Sequence, residues 1–281
     1  MSIHQILIRA NRSWWHIDWR ELREYQDLLV LLVKRDLTAI YKQTILGPLW
    51  FIIQPLVTTL VFTVIFGKVA KVSTDGVPQF IFYMSGTVLW SYFQGVLNHG
   101  AGSLITNSAI FSKVYFPRLV VPLSGVFTQL AHFLLNYLLF ICFFLYFFFF
   151  TPSGMKPNIL LITVPVLVIQ CALIGLGFGL WVAAMTTKYR DLRFALPFFI
   201  QLWMYGTPVV YPASLVVNLK LKLLLWLNPM TAVVEINRYA FTGKGTLFLA
   251  GIGISWIVTF GVLLSGLFLF NRVQRTFVDT I

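Results

Sequence analysis

Charge is what this sequence has least of. Only 11% of its 281 residues are Asp, Glu, Lys or Arg, against about a quarter in a soluble domain, and acidic residues are scarcest, 9 against 21 basic ones. A water-soluble globule is thereby excluded. Cysteine is nearly absent too: Cys142 and Cys171 sit inside apolar runs with no second thiol or His at ligand spacing, so they read as inert, lipid-buried residues. His4, His16, His99 and His132 are scattered, and no paired carboxylates or Ser-His-Asp set accompanies them. No metal site and no enzyme acting alone is expected. A phosphate loop is missing as well, since Gly175-Leu176-Gly177-Phe178-Gly179 lacks the following Lys-Ser/Thr and Gly243-Lys244-Gly245 lacks the upstream Gly and the hydroxyl. No apolar core with a small-residue cleavage site follows Arg9, Arg12, Trp14 and Trp15, so no cleaved signal peptide is expected. The net charge of +12 would suggest nucleic acid in a soluble protein. With no aromatic-basic motif of the single-strand binders, no nucleic-acid partner is expected, and the basic excess suits loops facing anionic headgroups.

What the chain has instead is length without charge. Residues 49–67, 78–98, 123–150, 159–185, 194–211 and 249–270 are apolar runs long enough, at about 1.5 Å per residue, to cross a bilayer core as helices. The expected fold is an all-α membrane protein of six transmembrane helices. The fifth run is the weakest, being short and interrupted by Pro197 and Pro208. Lys and Arg outside the runs divide fourteen to seven between alternate sides, which places both termini in the cytoplasm. Ahead of the first run, residues 18–46 mix Leu22, Leu28, Leu29, Leu31, Leu32 and Val33 with Arg20, Glu21, Arg23, Glu24, Lys34, Arg35 and Asp36. This pattern fits an amphipathic helix along the headgroup boundary, anchored by Trp14, Trp15 and Trp19, or one packed on a soluble partner. Between the fifth and sixth runs, Leu219 to Leu227 and Met230 to Phe241, the latter started by Asn228-Pro229, predict two short helices that cannot cross. They either cap a pore or form an external hairpin.

No Asp, Glu, Lys or Arg sits at mid-membrane depth, where proton- or sodium-coupled carriers hold a coupling group. Any coupling must therefore come from outside the chain. In the second run Tyr83, Thr87, Trp90, Ser91, Gln94 and Asn98 share one helical face. Thr128, Gln129, His132 and Asn136 form a shorter stripe in the third run, and the fifth run contributes Gln201 and Tyr205, which join Tyr83, Thr87, Trp90, Gln94 and Asn98 as candidate path residues. Such stripes either line a conduit or join helices by hydrogen bonds of about 0.6 to 2 kcal/mol. The third-run stripe is expected to join helices; the second-run stripe, with flat aromatic surfaces, is expected to line a path. Gly175, Gly179 and Ala183, four residues apart, predict a close helix contact.

Several segments point to a family. Lys34-Arg35-Asp36, Tyr41-Lys42-Gln43-Thr44-Ile45-Leu46-Gly47-Pro48-Leu49-Trp50 and Gln54-Pro55-Leu56 approach the first run; Lys113-Val114-Tyr115-Phe116-Pro117-Arg118 precedes the third. Tyr189-Arg190-Asp191-Leu192 with Pro197, Pro208-Val209-Val210-Tyr211-Pro212, Leu227-Asn228-Pro229-Met230 and the terminal Arg272, Phe277, Asp279 and Ile281 complete the set. Their order and spacing resemble those of ABC-2 type permeases that export polysaccharides such as O-antigen, capsule and teichoic acid. Ile40 departs from the pattern, many members having Arg there.

The resemblance implies a homodimer of six-span subunits in a bacterial inner membrane, joined to two copies of a nucleotide-binding subunit. That subunit binds ATP and Mg; this chain holds no cofactor. The loop from about Gly102 to Tyr115 would dock it, through Ser108, Ile110, Phe111, Lys113 and Tyr115, with Lys188 to Arg193 as a second contact. Residues 1–48 would form the cytoplasmic interfacial region and 49–281 the transmembrane domain, with gate helices between spans five and six. By the same analogy the cargo is a lipid-linked polysaccharide on a polyprenyl diphosphate, with Arg35 and Lys42 as phosphate partners or as ordinary positive-inside residues. Two other classes stay open: a lipid-sugar flippase or channel without an ATPase, and a glycan polymerase or ligase, which should show an acidic or Arg motif in a large external loop. Only Glu235 and Arg238 stand there.

Overall fold

The computed structural model describes residues 19–42, 47, 49–107, 111, 116–152 and 154–276. All regular structure among them is helical. Two helices precede the apolar runs, α1 (Trp19–Glu24) and α2 (Gln26–Lys42). In α2, Asp27 in the first turn and Lys42 in the last complement the helix dipole. Leu32 is buried on Phe116, Val120 and Val121, whereas Leu31 and Val30 stay exposed. The helix is thus docked on one face and open on the other. Trp14 and Trp15 lie outside the described residues.

Helix α3 (Leu49–Phe62) contains Pro55 and continues as a π-helical turn, Thr63–Val69. Pro55 removes a ladder donor, and the hydroxyls of Thr58 and Thr63 bond back to the carbonyls of Gln54 and Thr59 at 3.0 and 2.8 Å; both effects loosen the regular helix. The 28-residue α4 (Gln79–Thr106) runs eight residues past its expected end at Asn98. Then come α5 (Val120–Phe150), α6 (Val164–Thr186) behind a 3-10 turn at Ile159–Thr163, and α7 (Leu192–Tyr205). Short helices α8 (Leu219–Leu227) and α9 (Pro229–Thr242) precede α10 (Leu249–Thr276). The Asn228 side chain caps α9 by accepting from Met230 N at 3.1 Å, and Gly243, with φ of 66°, closes it in the left-handed region.

Among the described residues, four segments are long and apolar enough to cross a membrane: Leu49–Val69, Val120–Phe150, Ile159–Thr186 and Leu249–Gln274. The other two expected spans differ from these. α4 has the length but carries the polar stripe, and α7 has only 14 residues because Gly206 and Pro208 end it.

α4 is the axis of the core, with Ile81 to Leu89 almost wholly buried. Over this stretch it is buried nearly all round, other helices packing on every side. Its closest partner is α6. A Cβ at Gly175 would come within 2.9 Å of the Phe93 carbonyl oxygen, and one at Gly179 within 3.0 Å of that of Leu97. The predicted small-residue face therefore exists, and Gly100 of α4 lies directly across from Gly179. Gly177, on the opposite side of α6, meets the Leu263 backbone of α10. A polar tie reinforces that contact: Gln170 donates to Ser255 Oγ at 2.7 Å, and Ser255 donates to the Pro229 carbonyl at 2.9 Å. Cys171 is buried in this core, 3.4 Å from the Leu89 carbonyl, and it is Cys142 that is exposed on the bundle's outer surface.

Contacts between loops separate the two ends of the bundle. At one, Lys156 N donates to Thr242 O at 3.0 Å, Lys244 Nζ to Gly76 O at 2.7 Å, and Ser214 Oγ to Asp75 at 2.8 Å. At the other, Asp36 of α2 meets His99 at 3.2 Å and Arg118 donates to the Gln274 carbonyl.

Candidate functional site

On α4, burial decides what the polar stripe faces. Tyr83 and Thr87 are buried, as is Trp90, whose ring packs on Phe93 and Trp203 at 5.0 and 6.2 Å. One turn further on, Ser91, Gln94 and Asn98 form the accessible edge of an otherwise enclosed helix. That edge opens into a cavity of about 400 Å³.

Three other helices complete its walls. α3 contributes Phe51, Gln54, Pro55 and Thr58; α4 Thr87, Trp90, Ser91, Tyr92, Gln94 and Asn98; α5 Gln129, His132, Phe133 and Asn136; and α7 Met204. The His132 ring stacks on Phe51 with centroids 3.9 Å apart, and its Nδ1 lies 3.4 Å from Gln129 Oε1. Among the described residues, His132 Nε2 and Asn136 Oδ1 have no partner, and both atoms are covered by neighbouring protein. Buried polar atoms normally have one, so a rotation of either side chain toward the cavity would gain a hydrogen bond. Among the described residues, no Asp, Glu, Lys or Arg lines this space.

The expected path residues therefore divide. Thr87, Trp90, Gln94 and Asn98 meet at the cavity. Tyr83 lies off it, packed between Phe62 and Phe82 with its hydroxyl unbonded. Gln201 and Tyr205 are exposed on another face of α7. Gln129, His132 and Asn136, expected to join helices, belong to the cavity instead. Gln54 and Thr58, one helical turn apart in the first run, also line the cavity, and their i, i+4 spacing is the sequence signal that pairs them.

A second cavity of about 260 Å³ continues toward the end holding α2, lined by Asn98, Gly102, Ile105, Thr106, Thr186, Arg193 and Pro197 among others. Asn98 belongs to both, and among the described residues Arg193 is the one cation in either lining. Arg35 and Lys42 line neither; Arg35 pairs with Asp36 at 2.8 Å. Ser108, Ile110, Lys113 and Tyr115 lie outside the described residues. Phe111 is half-buried, 5.3 Å from the Phe116 ring and 5.6 Å from the Arg118 guanidinium.

Glu235 and Arg238 are not poised for chemistry. Their side chains pair at 2.5 Å with both residues buried. Arg238 also donates to Pro208 O at 2.8 Å and lies 3.7 Å over the Phe82 ring, while Glu235 accepts from Thr246 N at 3.2 Å. Burial pushes the Arg238 pKa down, and the Glu235 carboxylate opposes this most strongly.

A model of the ABC-2 type transporter membrane domain matches residues 27–242, which cover every wall of the cavity. The chain belongs to the ABC-2 type transporter family. This ABC-2 chain is 29% identical over 256 residues to the O-antigen export system permease protein RfbA of Klebsiella pneumoniae, covering 90% of this chain and 94% of the relative. It is 31% identical over 224 residues to RfbA of Myxococcus xanthus, covering 79% and 83%. The polysialic acid transport protein KpsM of Escherichia coli is 23% identical to it over 215 residues, covering 74% and 79%.

Proposed function

We propose that this ABC-2 chain is the permease subunit of an ATP-driven exporter that moves a polysaccharide, carried on a polyprenyl diphosphate, across a bacterial inner membrane. The names of its relatives set the substrate class. The observation that carries the reading is the uncharged, hydrogen-bonding cavity between the helices. Substrates rich in hydroxyls need paired donors and acceptors, whereas a buried polyanion needs compensating positive charge.

In this reading the helices cross six times. α4 supplies about 42 Å of helix and α7 about 21 Å, the latter completed by the packed chain up to Pro212. The loop contacts at the two ends agree with alternate crossings, α2 and both termini being cytoplasmic. A second copy covers the exposed face of α7 carrying Phe194, Phe198, Gln201 and Tyr205. Two nucleotide-binding subunits dock on the loop from Gly102 to Tyr115 and supply the energy. The buried, mutually bonded Glu235 and Arg238 weigh against a polymerase or ligase.

Deleting the gene should abolish the surface polysaccharide and leave lipid-linked polymer inside the cell. The tagged permease should copurify with an ATP-binding subunit, and an Ile110→Asp variant should lose that subunit while keeping its own membrane level. Unchanged surface polysaccharide in the deletion strain would refute the export reading.

A further inference from the structure

The cavity has features beyond those a passive passage needs. Its walls offer donors and acceptors on three sides, Gln94 and Asn98 from α4, Gln129, His132 and Asn136 from α5, and Gln54 from α3. Among the described residues, two of these atoms, His132 Nε2 and Asn136 Oδ1, have no partner, and both are covered by surrounding protein. Leaving such atoms unbonded costs free energy, and an occupant that draws either side chain round to face it recovers that cost. The flat His132 and Phe51 rings, stacked 3.9 Å apart, form one wall. At about 400 Å³ the space is near the lower end of small-molecule sites, about 300 to 1,000 Å³. It holds a ring-sized unit or two. Among the described residues of its walls, no charged side chain is present to compensate an anion.

We infer that each protomer carries its own binding subsite for one or two uncharged sugar rings, in which His132 and Asn136 are specificity residues, and that the diphosphate of the carrier is excluded from it. The inference rests on the polysaccharide-export reading and adds to it where the glycan is held. The polymer pauses unit by unit against α5, while its charged end stays outside the cavity.

The test uses the full-length chain. In the deletion strain, a His132→Phe, Asn136→Leu double variant should display at least tenfold less surface polysaccharide per permease molecule than wild type, at equal membrane level and equal thermal midpoint. His132→Gln with Asn136→Gln, which restores hydrogen-bonding groups, should recover much of the display. If the apolar double variant is poorly produced, Gln94→Leu on the facing wall takes its place with the same expectation. Purified wild-type protein, titrated with the repeat-unit oligosaccharide released by mild acid from the host's own polysaccharide, should show a saturable change in tryptophan fluorescence through Trp90. The double variant should show none, and inorganic diphosphate should give none with either protein. Normal display by the apolar variants, a saturable response to diphosphate, or no response of the wild type to oligosaccharide would each overturn the subsite. A deletion strain that still displays its polysaccharide would instead remove the export reading itself.

Discussion

Arg238 and Glu235 face each other inside the protein, each the other's compensating charge. Removing one partner leaves an unpaired charge in a place water does not reach. Glu235→Gln or Arg238→Met should therefore destabilise the detergent-solubilised chain by about 3 to 5 kcal/mol. Glu235→Leu combined with Arg238→Met should cost much less than the sum of the singles, since the uncompensated charge disappears; midpoints from thermal unfolding of all the variants decide this. The pair's residue types were legible in the sequence, but not their engagement, because Pro208, Phe82 and Thr246 reach them from three distant segments. The α4 stripe teaches the same lesson. Tyr83 and Gln94 are equivalent by helical angle, yet Phe62 and Phe82 cover the first while the second opens into the cavity. Periodicity gives the face, and tertiary neighbours give the exposure along it.

Among the helices, the contact between α4 and α6 is set by backbone approaching backbone. Gly179→Leu would drive a side chain into the Leu97 carbonyl and Gly100, so a loss of about 1 to 3 kcal/mol is expected. Gly253→Ala in α10 meets nothing within 4 Å and should raise stability by up to about 1 kcal/mol through helix propensity. Measured side by side by thermal unfolding, the two substitutions should shift the midpoint in opposite directions. This contact was readable from the spacing of Gly175 and Gly179 alone, because only small residues permit such an approach. The limits of α7 were less so. Apolar composition carries on through Val209 and Val210, and it is backbone chemistry at Gly206 and Pro208 that stops the helix at Tyr205.

For the whole molecule, the sidedness argued from Lys and Arg counts has a direct check. In a Cys-free version, single cysteines at Ser73 and Ser214 should react with membrane-impermeant thiol reagents from outside, while cysteines at Ser2, Ser112 and Thr280 should not. External labelling at Ser112 would break the six-crossing arrangement. The alternation of long apolar runs and short loops was visible in the sequence because bilayer thickness imposes it. The cavity was visible only as separate stripes, since nothing in a linear pattern says that α3, α4 and α5 present theirs to one space. The neutrality of that space bears on energetics in another way. A charge carried across the full bilayer potential exchanges about 2.3 kcal/mol per 100 mV with the electric field. No ionised side chain lines the larger cavity, and none sits at mid-depth in the described spans. A voltage step therefore has no ionised side chain to pull on among the described residues of that cavity, and the Arg238 charge buried elsewhere in the bundle is balanced by Glu235.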